Sequence, residues 1–225
     1  SIFTTLADQD PDLVCLIEFR HSKGSDQIAD SLANAGWRHQ LSTRSMEFVE
    51  RNSLFMAAKV PLTRLSFDDY PLQHRFLAAR IGETDFSAAL IHIPNRREGF
   101  EHECREKVLQ WTRSWSGGPC VILGDTNTGK PDIDEEAKYF NKREGSWMDA
   151  MNDVQWVDAW RHLNGEKRVY SWRERRKGNG FRIDQGFVSP DAHHLLESVD
   201  YHWFNQPDGA APSDHAALVL NFSVV

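Results

Sequence analysis

Apolar residues along the chain fall mostly into short runs broken by polar turns, with only a few helix-like stripes. Leu13 to Glu18 is a brief apolar run closing on a charge, which reads as a buried central strand. Ser25 to Ala35 sets Ile28, Leu32 and Ala35 at helical spacing and stops at Gly36, so a helix is expected there. Phe48 to Pro61 reads as a hairpin turning near Arg51 and Asn52, with Leu54, Phe55 and Met56 on the return strand. Arg75 to Ile81 and Phe86 to Ile93 are two further strands, separated by the turn Gly82-Glu83-Thr84-Asp85. Gly99 to Trp115 carries Phe100, Cys104, Val108, Trp111 and Trp115 as one stripe of an amphipathic helix. Gly117-Gly118-Pro119 ends that helix, and Cys120 to Leu123 begins another strand. Asp134 to Leu163 is mostly helical or irregular, and strands return at Val169–Trp172, Phe181–Ser189, Ser198–Phe204 and Ala216–Phe222. Several strands in succession with a few long helices predict an α+β fold: two stacked, mainly antiparallel β-sheets with helices outside.

Three of these strands end or begin in polar clusters. Val121 to Leu123 runs into Gly124-Asp125-Thr126-Asn127, which places a carboxylate and an amide two residues apart. On an extended segment both side chains would face one ligand, such as a water held against a phosphate. In Arg182-Ile183-Asp184 two charges share one face of a strand, and a cross-strand ion pair is the simpler alternative. Ser213-Asp214-His215 enters the strand at Ala216 and joins a carboxylate to an imidazole. Adjacent residues on a strand point apart, so both act together only if a loop precedes the strand. Glu18 at the end of a buried strand needs a partner such as a cation. His92, inside Ala89 to Asn95, is a polar residue in an apolar run. Each cluster alone also reads as an ordinary turn, cap or hydrogen-bonded core residue.

Composition narrows the field only slightly. The 225 residues, 40% apolar and with eight Trp, suffice for one well-buried domain spanning 1–225. The formal net charge of −7 does not advertise a nucleic-acid binder, although acidic metal ligands can hide a phosphate-handling site behind such a number. Cys15, Cys104 and Cys120 are widely spaced and form no zinc pattern; two sit in apolar runs, which favours reduced thiols and a cytoplasmic setting. No apolar stretch has the length of a membrane span.

The order of the polar clusters is more specific than any one of them. A strand ending in Glu18, then His92-Ile93-Pro94-Asn95, then Gly124-Asp125-Thr126-Asn127, then Trp172 with Arg182-Ile183-Asp184, and finally Ser213-Asp214-His215 resembles the endonuclease/exonuclease/phosphatase family from Leu13 to Phe222. The resemblance implies a four-layer α/β/β/α sandwich and a metal-dependent phosphoesterase. It implies Glu18 as the main metal ligand with Asp214 near or on the metal, and Asp125 and Asn127 positioning the attacking water. It also implies His215 on the scissile phosphate, Asp184 orienting it, His92 where relatives carry His or Tyr, and Asn95 on substrate phosphate. An all-oxygen ligand set points to Mg²⁺ or Mn²⁺. The family's opening strand, which carries an Asn upstream of the Glu, has no counterpart here, because Ser1 to Gln9 reads as the helix that follows it.

For the substrate, eight Lys or Arg lie between Arg161 and Arg182 against only Glu166 and Glu174. Trp172, Arg175, Arg176 and Arg182 are expected to follow a phosphate backbone, with Arg96 adding charge beside Asn95. A nuclease acting on DNA or RNA is the leading reading. A phosphatase or phosphodiesterase on inositol phosphates or phospholipids is the alternative, and a catalytically impaired nucleic-acid-binding module is a third. The sequence sets no oligomeric state.

Overall fold

The computed structural model describes residues 2–45, 51–204 and 213–223. Five helices occur among them: α1 (Ile2–Gln9), α2 (Lys23–Asn34), α3 (Glu101–Ser114), α4 (Lys142–Asp153) and α5 (Ala159–Asn164). A six-stranded sheet forms the centre. Its order is β4 (Leu62–Leu65), β5 (Phe76–Ile81), β6 (Ser87–His92), β7 (Cys120–Asp125), β11 (Asp184–Val188) and β8 (Val157–Asp158). Neighbours are antiparallel except β6 and β7, which run parallel with α3 as the crossover. A smaller antiparallel sheet sets β3 (Phe55–Ala58) between β1 (Leu13–Leu16) and β2 (His39–Ser42). Two antiparallel pairs complete the set, β9 (Trp172–Arg173) with β10 (Gly180–Phe181) and β12 (Leu196–His202) with β13 (Ala217–Phe222).

The alternation of each strand explains the layers. On β5, β6 and β7, Phe76, Ala78, Ala89, Ile91, Cys120 and Ile122 face one core with Cys104, Val108 and Trp111 of α3 and Trp147, Met148 and Met151 of α4. Their neighbours Leu77, Ala79, Ala88, Leu90 and Val121 face a second core, shared with Met56 of β3 and with Val199, Leu218 and Leu220. Val14, Phe55 and Ala57 point the other way, onto Leu32 of α2 and Leu6 of α1. The result is helices, sheet, sheet, helices: the α+β sandwich expected from the pattern.

Local differences from the expectation have local causes. The strand expected to reach Glu18 stops at Leu16, and Glu18 takes a left-handed φ of 55°. Arg75 closes a 3-10 turn (Gln73–Arg75) ahead of β5. Strands β2 and β4 gave no sequence signal, because each has only four residues, at least two of them polar, at the margin of its sheet. In the expected hairpin, Leu54 to Met56 enters β3 as anticipated, but β3 pairs with β1 and β2; Phe48, Val49 and Glu50 lie outside the described residues. The three cysteines are free thiols, two of them buried. No described helix is long and apolar enough to cross a membrane.

Candidate active site

Topology alone brings three of the expected residues side by side. Because β6 and β7 are parallel, their C-terminal ends coincide, and His92 stands in register with Asp125. Because β11 runs antiparallel to β7, its first residue, Asp184, pairs with Asp125 from the other side. Gly124 makes the approach possible: with φ of 140°, a β-carbon there would lie 1.9 Å from the Ile91 carbonyl oxygen. No other residue fits between β6 and Asp125.

His215 arrives from a different part of the chain. It precedes β13, bridges to Trp172, and accepts its geometry from a tight turn in which its N–H donates to Ser213 Oγ at 3.0 Å. Its Nδ1 lies 2.8 Å from Asp184 Oδ2. Ser171, fully buried, ties the two halves together. Its Oγ accepts the N–H groups of Ile183 and Asp184, both at 3.0 Å, while its carbonyl accepts the Ala216 N–H at 2.7 Å. Tyr201 adds a bond from its hydroxyl to the Asp184 carbonyl at 2.7 Å. Neither Ser171 nor Tyr201 carried any sequence signal, since both act through backbone groups.

Asp125 and Asn127 meet, though by another route than extended backbone. Asn127 is left-handed, with φ of 46°, and folds back so that its N–H and Nδ2 donate to Asp125 at 2.7 and 3.0 Å. Its Nδ2 also donates to the Ile93 carbonyl at 2.9 Å.

Electrostatics divide the cluster. Burial would lower the His215 pKa, but the hydrogen bond and charge of Asp184 outweigh it and hold the imidazole at about 9, protonated at neutral pH. Burial and the nearby Arg75 charge press His92 down to about 3, so it is neutral. At 3.8 Å its contact with Asp125 is therefore neither a hydrogen bond nor an ion pair. Burial, then the Asp184 charge, raise Asp125 well above the usual carboxylate range, with Glu18 adding to the effect. Asp125 therefore tends to keep its proton at neutral pH until a positive charge comes near it.

Glu18 is exposed, and one carboxylate oxygen accepts from Asn52 Nδ2 at 2.8 Å. Asp214 is half exposed and faces Arg175 at 3.4 Å. Among the described residues no three His, Cys, Asp or Glu side chains converge as a metal cage.

Two of the expected substrate contacts, Arg182 and Arg96, need correction. Arg182 is wholly buried, bonded to Asp134 at 2.7 and 3.0 Å and to both oxygens of Asp158, the longer of these bonds 3.1 Å. It points into the protein because Asp134 and Asp158 need a cation there, and it cannot touch substrate. Arg96 is committed to the buried Glu144 and lies 4.6 Å over the Tyr139 ring, anchoring that loop to α4. Asn95 caps its own turn, accepting from Arg97 N and Glu98 N and donating to Glu98 at 2.7 Å. Trp172 is half-buried, packed on Phe181 with its ring 6.4 Å from that of His215. Arg175 and Arg176 stand exposed at the tip between β9 and β10.

The profile of the Endonuclease/Exonuclease/phosphatase family matches residues 1–215. The chain belongs to that family. Its chemistry is accordingly that of a phosphoesterase. Among solved structures, an AP endonuclease from Archaeoglobus fulgidus superposes with a TM-score of 0.82 at 20% identity, covering 99% of this chain and 93% of that one. A 3′-5′ exonuclease from Neisseria meningitidis gives 0.82 at 21% identity, with 98% and 93% covered. A 3′ phosphatase from Neisseria bound to product DNA hairpin gives 0.79 at 22%, with 99% and 93% covered. At these identities the likeness establishes the fold. No curated protein sequence matches the chain.

Proposed function

We propose that the chain is a metal-dependent phosphodiester hydrolase and, by its charge distribution, a nuclease acting on DNA or RNA. The observation that carries the reading is the 2.8 Å Asp184–His215 pair standing beside Asp125 and Asn127 at adjoining strand ends. Asp184 fixes the imidazole orientation through Nδ1, which leaves Nε2–H to donate to a phosphate oxygen as charge builds there. His92, neutral and buried, offers a second ring for the same purpose. Asp125, steadied by Asn127, accepts a proton from the attacking water once a neighbouring positive charge lowers its pKa.

The donor set suits a hard cation. Glu18 presents an exposed carboxylate, and the excess negative charge felt by Asp125 calls for a positive partner. Mg²⁺ commonly takes only one or two carboxylates and keeps several waters, so Glu18 would anchor it without a full protein cage, and Asp214, which faces Arg175 in the free chain, is the second carboxylate the resemblance offers. A bound Mg²⁺ or Mn²⁺ would neutralise the phosphate and ease departure of the leaving oxygen. The exposed Arg175, Arg176 and Lys177 at the β9–β10 tip suit an extended phosphate backbone, whose charges continue beyond the phosphate being cleaved. The DNA hairpin bound by the Neisseria phosphatase is in keeping with that choice.

Cleavage of labelled single- and double-stranded DNA and RNA, with Mg²⁺ or Mn²⁺ and with chelator, tests the reading. We expect cutting that chelator stops and that His215→Ala abolishes. Turnover of inositol phosphates or phospholipids with no cutting of any nucleic acid would replace the nuclease reading. A chain that binds nucleic acid and hydrolyses none of these would be the impaired binding module.

A further inference from the structure

Beyond Glu18 the surface opens into a cleft of about 570 Å³, within the roughly 300–1,000 Å³ range of small-molecule sites. Arg20, Arg51, Arg75, Glu98 and Phe100 line it, together with Glu18 itself. The cleft therefore shares Glu18 with the proposed catalytic centre and extends from it toward Arg75 and Phe100.

Its chemistry is unusual in two places. Arg75 is 7% exposed, yet its Nε and Nη1 have no acceptor among the described residues. Only Nη2 is engaged, by a carboxylate oxygen of Glu98. Two of the donors of this buried guanidinium are idle and sealed from solvent, so among the described residues its charge rests on Glu98, and an anion that replaces Glu98 must take over that bond. Phe100 is the second oddity. It is 58% exposed on the rim and held at φ of 64°, directly after Gly99 at 77°. A bulky residue in the left-handed region is strained, and here the strain presents an aromatic face to the cleft.

Glu98 links the two. One of its oxygens takes Arg75, and the other takes Asn95 Nδ2 at 2.7 Å. Two oxygens of one anion bridging an arginine and an amide is how a phosphate would be held. Yet the Glu98 side chain is 42% exposed, so a ligand arriving from solvent can reach and replace it.

We infer that Arg75 and Asn95 form a nucleotide subsite whose phosphate position is filled, in the free chain, by the carboxylate of Glu98. A phosphate neighbouring the scissile one displaces Glu98, and the attached base lies against Phe100. This rests on the nucleic-acid reading above and names where the flanking nucleotide sits. Glu98 then acts as an internal competitor that admits only ligands able to replace it with both phosphate and base.

Equilibrium binding in chelator, where no cutting occurs, tests this apart from catalysis. The probe is a fluorescently labelled single-stranded tetranucleotide, competed by dAMP, by inorganic phosphate and by deoxyadenosine. We expect dAMP to compete at least about tenfold better than phosphate or nucleoside alone. Phe100→Ala should weaken probe binding about tenfold, as loss of one base stack does, and Phe100→Leu nearly as much. Arg75→Gln should weaken it and lower the salt dependence by about one phosphate contact. Glu98→Gln should tighten it several-fold. Because Phe100 is exposed, its variants remain folded even if Arg75→Gln does not.

Failure of wild type to bind the probe, indifference to the Phe100 variants, or weaker binding by Glu98→Gln would each overturn the subsite. Cutting that survives such a result leaves the nuclease reading intact. Subsite effects in a chain that never cuts remove the nuclease reading and leave the subsite.

Discussion

Arg182 and Asp184 are two residues apart on one segment, and each enters an ion pair, but the two pairs are built for opposite ends. Arg182 has no exposed surface and meets Asp134, also fully buried, and Asp158. Asp184 is 10% exposed in its side chain and meets His215 at 25%. The first network is closed on all sides, with Arg161 as a further donor to Asp134. In the second, one face of the imidazole is left open. Closure turns charge into a structural clamp, whereas an open face leaves charge free to meet something that arrives. The intervening Ile183 contributes to a small core with Phe140 and Phe181, which keeps the two corners apart.

The largest test of this contrast is Arg182→Met. Removing one partner from a buried ion pair leaves carboxylates stranded, at a cost of about 3–5 kcal/mol. We expect a loss of that order in chemical denaturation, with the catalytic rate of the remaining folded protein changed little. A variant that stays stable but loses substrate affinity would return Arg182 to the substrate-contacting role its sequence position suggested.

His215→Ala is the converse. Withdrawing a hydrogen-bond donor from a transition-state phosphate costs about 10²–10³ in rate. The ring is mostly buried and its removal strands Asp184 at the edge of the site, so we expect some loss of stability, smaller than in Arg182→Met, beside the much larger loss of rate. An equal loss of stability would show that the Asp184–His215 pair is a clamp too.

These two residues also show how far the sequence could be read. The runs Arg75 to Ile81, Phe86 to Ile93 and Cys120 to Leu123, set off by turn residues, announced strands, and the structure buries both faces of each. That Asp125, Asp184 and His215 come together was legible because they stand at strand ends, where topology gathers them. Arg182 was misread for a definite reason: the pattern gives the face of a residue relative to its neighbours, but not which acid on another segment will claim it. Asp134 and Asp158 lie in stretches without periodicity. Arg96 failed in the same way, its partner Glu144 being a capping residue of α4 distant in sequence. Backbone-mediated supports such as Ser171 leave no trace in residue type.

Ser171→Ala probes the join between the two corners. It strands two buried N–H groups, and each unsatisfied donor costs on the order of 1–3 kcal/mol before the site relaxes. Part of this falls on Ile183 and part on Asp184, so both stability and rate should drop, the rate less than in His215→Ala. Loss of stability alone would mean that the Asp184 carboxylate holds its position without its own backbone anchor.

The smallest effect separates the corners by pH. Burial would raise the Asp134 pKa, but the Arg182 charge and hydrogen bonds, with Arg161, more than reverse this and leave it lowered. A carboxyl depressed on folding adds stability above its unfolded pKa of about 3.9, and that stability is lost as pH falls through the folded value. The closed network should therefore give way in acid, below about pH 4. Asp134→Asn removes the titrating group, so its unfolding free energy, lower at neutral pH, should fall less steeply between pH 5 and pH 2 than that of wild type. A parallel pair of curves would show that Asp134 does not govern acid unfolding, and that the clamp keeps its charge for reasons other than stability.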